Sequence, residues 1–510
     1  MKKSPSYCGY HAGGYRPKQP GHLQFPKPRL DGSGCTVTST RSAVPETTRL
    51  PHPRFRLPFL GDILTVDFNN PCQGLLKEAQ RHDGIFEQNL FGFPVPVVTD
   101  PALIAEVFDP EHWEKNSGHI VRKLRDVAGD GLFTAYNREP NWAKAHNILL
   151  PAFSKTAMIG YHDSIKATVR EFINGWENAA HNRAWIAVPE AANRLTTEII
   201  ARAGYGTSFN RLDDGSENPF VGTILRELHY ANRRTDVLPL YEKIFTKKRI
   251  QQHRADKKYA RDYVDQLINE RRQNPHTGDE RRDMLDLMLT AVDPDSGEQL
   301  DDNNIGNQIL TFLAAGSETS ANAISFALHY LSIRPDIAAQ ARVEIDKLWK
   351  GRDFPDIQYE EVAKLRYLRR VVDETLRLWP VAPGIFRQPK HDTTIGNGRY
   401  AFSKKKKDWV FVLLLAAHRD AKWGPDANEF NPDRWLNIDA EFRKTVTYKP
   451  FGTGERACIG LQFALHEILV ALAVILHQYE LEPRPGYQLK VTEGITLKPA
   501  DLRLRLKRRT

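Results

Sequence analysis

The residues best suited to chemistry form one short loop: Phe451-Gly452-Thr453-Gly454-Glu455-Arg456-Ala457-Cys458-Ile459-Gly460. A lone Cys ahead of a long apolar run is, by itself, a buried structural thiol. The neighbours of Cys458 give it another use. Gly452 and Gly454 allow a tight turn that brings backbone N–H groups toward the sulfur. Those groups, with the positive end of the following helix, favour a thiolate. A thiolate with no second Cys near it reads as a ligand of haem iron, whose potential such amides tune. Phe451 offers an aromatic wall against water. Arg456 offers a charge-assisted partner for a haem propionate. Gly460 lets helix and porphyrin approach closely.

This Phe-Gly-x-Gly-x-Arg-x-Cys-x-Gly signature resembles that of cytochrome P-450. The likeness runs from about Pro51 to the end, with further motifs in the family's order. It implies haem b as cofactor and Cys458 as the ligand of its iron. Ile305–Ile333 shows a long helical pattern whose middle reads Ala314-Ala315-Gly316-Ser317-Glu318-Thr319. Gly and a charge in an apolar helix both cost stability. A packing notch would explain them. The resemblance implies instead that small residues make room for O2 and substrate, that Thr319 donates a hydrogen bond to dioxygen, and that Glu318 feeds protons through water. Trp142 and His146, four apart, share a helix face. Alone they read as packing; the resemblance implies that both bond a propionate, as does Arg387 in Phe386-Arg387-Gln388-Pro389. Glu374 and Arg377, three apart on a helix, match a structural Glu-x-x-Arg whose third member is Arg434.

Asn141–Ser154, Ala128–Thr134 and Ala457–Glu467 resemble bacterial fatty-acid hydroxylases that carry a fused reductase. Phe133 matches an aromatic standing over the haem in that branch; an ordinary core Phe is the other reading. There are two departures. The sequence ends at Thr510 with no flavin or NADPH module, so a separate donor is expected: a flavodoxin-like reductase, or a ferredoxin with its reductase. The early hairpin, Asn89-Leu90-Phe91-Gly92-Phe93-Pro94-Val95-Pro96-Val97, also lacks the Arg and Tyr that hold a substrate carboxylate in that branch. Losing such a charged hydrogen bond costs ~1.5–3 kcal/mol. Fatty acids and neutral lipids, alcohols, terpenoids or aromatics are therefore competing substrates.

The elements that must position these groups are mostly helical. Val169–Ala180, Thr196–Ala203, Tyr259–Arg272 and Asp283–Val292 carry apolar residues at helical spacing. Strands are expected at Val95–Thr99, Thr394–Phe402, Trp409–Leu413, Gln488–Val491 and Leu502–Lys507. The Lys404–Lys407 run reads as a solvated hairpin turn. Residues 1–50, rich in Pro, Gly and Ser, read as a disordered basic arm, followed by one haem domain over 51–510. The expected fold is mainly α with small β-sheets, a single large triangular haem-binding domain.

The 510 residues carry a net charge of +9. Residues 1–50 hold eight Lys or Arg and two Asp or Glu, so +6 falls there and +3 on the rest. With no basic helix or aromatic–basic array, nucleic acid is not an expected partner. No run approaches eighteen uninterrupted apolar residues, so no membrane span is expected. Four scattered Cys fit a reducing, cytoplasmic compartment. The expected activity is hydroxylation of an apolar small molecule with O2. A peroxygenase using H2O2, which the Glu318–Thr319 pair opposes, and a non-catalytic haem sensor are the rivals.

Overall fold

Leu461–Gln478 is apolar on all sides, so it forms a helix with no solvent face. Every residue from Leu465 to Leu476 is buried. It is the one helix among the described residues long and apolar enough to cross a membrane, and it instead forms the centre of the core. In the computed structural model the described residues are 48–209, 218–233, 247–276, 283–349, 351, 356–436 and 438–509. They fall within one compact unit, Glu46–Thr510. The basic arm expected over 1–50 lies outside the described residues up to 47. Thr48 is held, its N–H donating to the Arg399 carbonyl at 2.8 Å.

Six helices matter for the site: α1 (Pro71–Ala79), α2 (Pro140–Leu149), α3 (Val188–Tyr205), α4 (Asp302–Ile333), α5 (Arg366–Leu378) and α6 (Leu461–Gln478). Asp301 caps α4 by accepting from the Asn304 N–H at 2.8 Å, and the helix stops before Pro335, as the residue preceding proline must leave the helical region. Pro140 opens α2, at the position where a missing N–H costs nothing. α3 ends at Gly206, which takes a left-handed φ of 59°, the usual glycine stop of a helix. α3 lies along α4 because Gly316 permits it: a Cβ there would come within 2.6 Å of Ile200 Cδ1.

A five-stranded sheet flanks the helices, with β1 (Ile85–Leu90), β2 (Phe93–Val98), β3 (Trp113–Lys115), β4 (Ile385–Pro389) and β7 (Val410–Val412) in the order β1-β2-β7-β4-β3. Only β2 and β7 run parallel, with Val97 opposite Phe411. The tetralysine hairpin is corrected here. β6 (Tyr400–Phe402) pairs with β5 (Thr393–Ile395), while β7 belongs to the other sheet. Lys404–Lys407 therefore links two sheets, its turn held by the Asp392 carboxylate accepting from Ser403 Oγ and Lys404 N.

One acid joins the two halves of the framework. Asp130 accepts from Asn141 Nδ2 at 2.7 Å beside the start of α2. It accepts also from Asn304 and Asn307 Nδ2 at 3.0 and 2.7 Å on α4. Burial works to raise its pKa, but the three amides outweigh this and hold the carboxyl below the usual range, since hydrogen bonds to the charged form favour it.

Candidate active site

The middle of α4 opens onto a mostly apolar cavity of about 660 Å³, lined also by α2, α6 and the cysteine loop. Thr319 lines it. Its Oγ1 donates to the Ala315 carbonyl at 2.8 Å, one turn back, a bond that helical Thr commonly makes. That leaves the hydroxyl oxygen as an acceptor toward the cavity. Glu318 is not in the cavity wall; its Oε1 accepts from Thr496 Oγ1 at 2.9 Å.

Another carboxyl does line the cavity. Glu467, on α6, is 1% exposed and its Oε2 has no hydrogen-bond partner. Burial pushes it up to about 8, against a smaller pull from the Ser320 hydroxyl next to Thr319. It is therefore a neutral acid at pH 7, a stored proton. The folded protein holds that proton between the ordinary value of 4.5 and about 8, while the unfolded chain has released it. By linkage, the contribution of this group is complete below pH 4.5 and lost as pH rises through about 8. Glu467→Gln should abolish that loss, on the order of 5 kcal/mol by ~1.4 kcal/mol per unit. Denaturant midpoints at acid and mildly basic pH will check it; identical pH slopes in both proteins would refute it.

Cys458 faces the same cavity. Gly452 and Gly454 adopt φ of 70° and 74°, which only glycine takes freely. The loop closes by Cys458 N donating to the Phe451 carbonyl at 2.8 Å. The sulfur is accessible from the cavity yet crowded by protein. Burial raises its pKa, and the Gly460 N–H only partly offsets this. A bound cation would favour the thiolate further.

Several basic side chains line the same cavity, together with Glu455 and Glu493. Arg456 sits 3.7 Å over the Trp142 ring, and Trp142 stacks on His146 with centroids 5.0 Å apart. Arg456 Nη2 donates to the Tyr136 carbonyl at 3.2 Å, while Nη1 is buried without a partner. Burial lowers its pKa to about 10. Lys115, at the end of β3, is lowered to about 7 by burial and then by Arg456; its Nζ donates to the Phe133 carbonyl. His146 is lowered by burial and, next, by Arg456. Arg387 also lines the cavity, but its Nε and Nη2 are committed to the carbonyls of Val107 and Trp113 at 3.2 and 3.0 Å.

These features fit a haem. A buried guanidinium nitrogen without a hydrogen-bond partner and a destabilised lysine would be satisfied by the two propionates of a haem. The Cys458 thiol would be satisfied by its iron, and Phe451 lines the same cavity wall. Trp142, His146, Arg387, Phe451, Arg456 and Cys458 thus all reach one cavity with Thr319, whereas Glu318 stands outside it. Phe133, 44% exposed, lines the cavity and is not a core residue. Lys115 and Glu467 escaped the sequence reading. A lone acid within an apolar helix was the available signal for Glu467; Lys115, on a three-residue strand, offered none.

A family model described as cytochrome P450 matches residues 51–505. The chain is 39% identical over 466 residues to bifunctional cytochrome P450/NADPH--P450 reductase 2 of Bacillus subtilis, covering 91% of this chain and 43% of that protein. It is 33% identical over 457 residues to the self-sufficient cytochrome P450 monooxygenase CYP505E3 of Phanerodontia chrysosporium, covering 89% and 42%. The chain therefore spans about two fifths of the length of the curated relatives it matches. The crystal structure of a cytochrome P450, CYP102L1, aligns with a TM-score of 0.85 at 59% identity, covering 91% of this chain and all of that one.

Proposed function

Because the chain belongs to the cytochrome P450 family, whose members bind haem b, we propose that it is a haem-thiolate monooxygenase hydroxylating an apolar, lipid-like substrate with O2. The observation that carries this reading is that Cys458, Arg456 and Thr319 all face one mostly apolar cavity. When bound, the haem supplies O2 activation and oxygen insertion. Cys458 would hold its iron, and Arg456, Lys115, Trp142 and His146 its propionates. Apolar walls orient the substrate and exclude water. Thr319 Oγ1 donates to the Ala315 carbonyl; turning that hydrogen to the cavity would let it pass a proton there while its oxygen accepts another. Glu467 holds one in reserve at Oε2. Glu318, which accepts from Thr496, would feed protons toward the cavity through water.

Electrons are proposed to come from a separate donor, a flavodoxin-like reductase or a ferredoxin with its reductase; the printed name of the Bacillus relative joins its P450 to a reductase. The free thiols of Cys72 and Cys458 suit the proposed cytoplasmic setting. Reconstituting the holoprotein with each donor, NADPH and a panel of fatty acids and neutral lipids, with products read by mass spectrometry, is the test. No oxygenated product with any donor would overturn the reading.

Two variants probe it further. Thr319→Ala should keep the haem spectrum while product per NADPH falls and peroxide rises; unchanged coupling would remove Thr319 from proton transfer. Phe93→Arg adds a cation at the hairpin that lacks one. Phe93 is 74% exposed, so screening limits the gain to about 0.5–1 kcal/mol, roughly two- to fivefold tighter fatty-acid binding. Spectral titration would check it, and equal affinity would argue against a carboxylate passing there.

A further inference from the structure

We propose that His112 and His391, with Glu111 and Asp109, form a surface site for a divalent metal of the zinc type, apart from the haem cavity. The sheet brings the two histidines together. β3 and β4 run antiparallel, with Trp113 opposite Pro389 and Lys115 opposite Arg387. His112 immediately precedes β3, and His391 lies two residues beyond the end of β4. Antiparallel pairing therefore brings both imidazoles out at the same end of the ladder. There Lys390 N donates to the His112 carbonyl at 2.8 Å, and the buried residues Trp113 and Pro389 anchor the two strands beneath.

The spacing suits one ion. The two rings stand with centroids 5.2 Å apart and planes inclined at 58°. Two imidazoles bonded to one tetrahedral zinc at about 2.0–2.1 Å carry their ring centres about 5 Å apart. One carboxylate oxygen each of Asp109 and Glu111 and one ring nitrogen of His112 lie within 4.8 Å of one another. Asp109 also sets the tautomer. Its Oδ1 accepts from Glu111 N at 3.0 Å, and its Oδ2 accepts from His112 Nδ1 at 2.5 Å. The Glu111 amide first, and then His112, hold its carboxyl below the usual range. As an anion it keeps the ring proton on Nδ1 and leaves the Nε2 lone pair for a metal, the pairing that orients metal-bound imidazoles. Glu111 and His391 are exposed and His112 partly so, which opens the site to an ion from solvent. Lys390 opposes a cation, but it acts on Asp109 less than the Glu111 amide or His112 does. Carboxylates alone would suit calcium or magnesium; two imidazoles select zinc and its transition-metal neighbours. A bound ion would staple the open end of β3, a three-residue strand at the edge of its sheet.

The site is independent of the monooxygenase reading, and its test needs no turnover. Holoprotein is freed of loose metal with a chelator and titrated calorimetrically with zinc chloride at about pH 7.5, where ordinary imidazole is neutral. The wild type should bind zinc, and saturation should raise its melting temperature. Asp109→Asn should bind about 10–100-fold more weakly, as an outer partner of a ligand does, and His112→Ala and His391→Ala at least about 100-fold more weakly. In zinc-free buffer both histidine variants should keep the wild-type haem spectrum and melting temperature, and zinc should no longer raise the latter. A wild type that binds no zinc, or a histidine variant that binds it as the wild type does, overturns the proposal. So does magnesium or calcium displacing zinc at equal concentration, which would make the site one of carboxylates alone.

Discussion

Cys458→Ser should give a protein that lacks the reduced carbonyl band from which its family takes its name, and that no longer turns over substrate. The hydroxyl of serine ionises far less readily than a thiol and is a harder, poorer donor to iron. The remaining groups would be intact: Arg456, Lys115 and the Trp142–His146 stack, which are proposed to hold the propionates, keep their mutual contacts. Some haem should therefore remain bound, which separates lost ligation from lost folding. Changing outer partners of a metal site costs about 10–100-fold, so loss of the ligand itself should exceed that, on the order of 10³ or more. Carbonyl difference spectra and haem content, measured together, decide the matter. A variant with the wild-type band would mean that another atom holds the iron.

Glu374→Ala should be the most damaging change far from the cavity. Glu374 and Arg377 are fully buried and paired, Arg377 Nε and Nη2 each donating to the carboxylate at 2.8 Å. Arg434 Nε adds a bond at 2.9 Å and the Trp435 indole another at 3.0 Å. Removing the acid leaves a buried guanidinium without its counter-charge, a loss of ~3–5 kcal/mol. Against a total stability of about 5–15 kcal/mol this is a large share. The damage should also travel. Arg377 Nη1 donates to the His418 carbonyl at 2.9 Å, and His418 Nε2 accepts from Lys449 N at 3.1 Å, two residues before the cysteine loop. Denaturant unfolding of holoprotein should show the drop, with haem retention falling in parallel. A midpoint within error of the wild type would refute the argument.

The parts of the site that could be read in advance are those whose signal is local. The Cys458 loop packs its turn, its ligand and its cation into ten residues. Trp142 with His146, and Glu374 with Arg377, lie one helical turn apart, so spacing alone puts them on one face. Arg434 needed the family pattern, and the structure joins it to Glu374. The reading that failed depends on partners distant in sequence. β6 and β7 are neighbours along the chain, yet each finds another strand. Glu318 is expected to feed protons through water; a helix turns about 100° per residue, so it faces away from Thr319 and its side chain meets Thr496. Glu467 reaches the cavity from a different helix.

The three amides gathered on Asp130 have a mechanical meaning. One carboxylate grips the start of α2 through Asn141 and α4 through Asn304 and Asn307, so it acts as a tie-bar that gauges the spacing of the two helices. A variant without it would keep every reacting group but lose their common datum. Its fault would show as leakage of reducing power, and not as an empty pigment site.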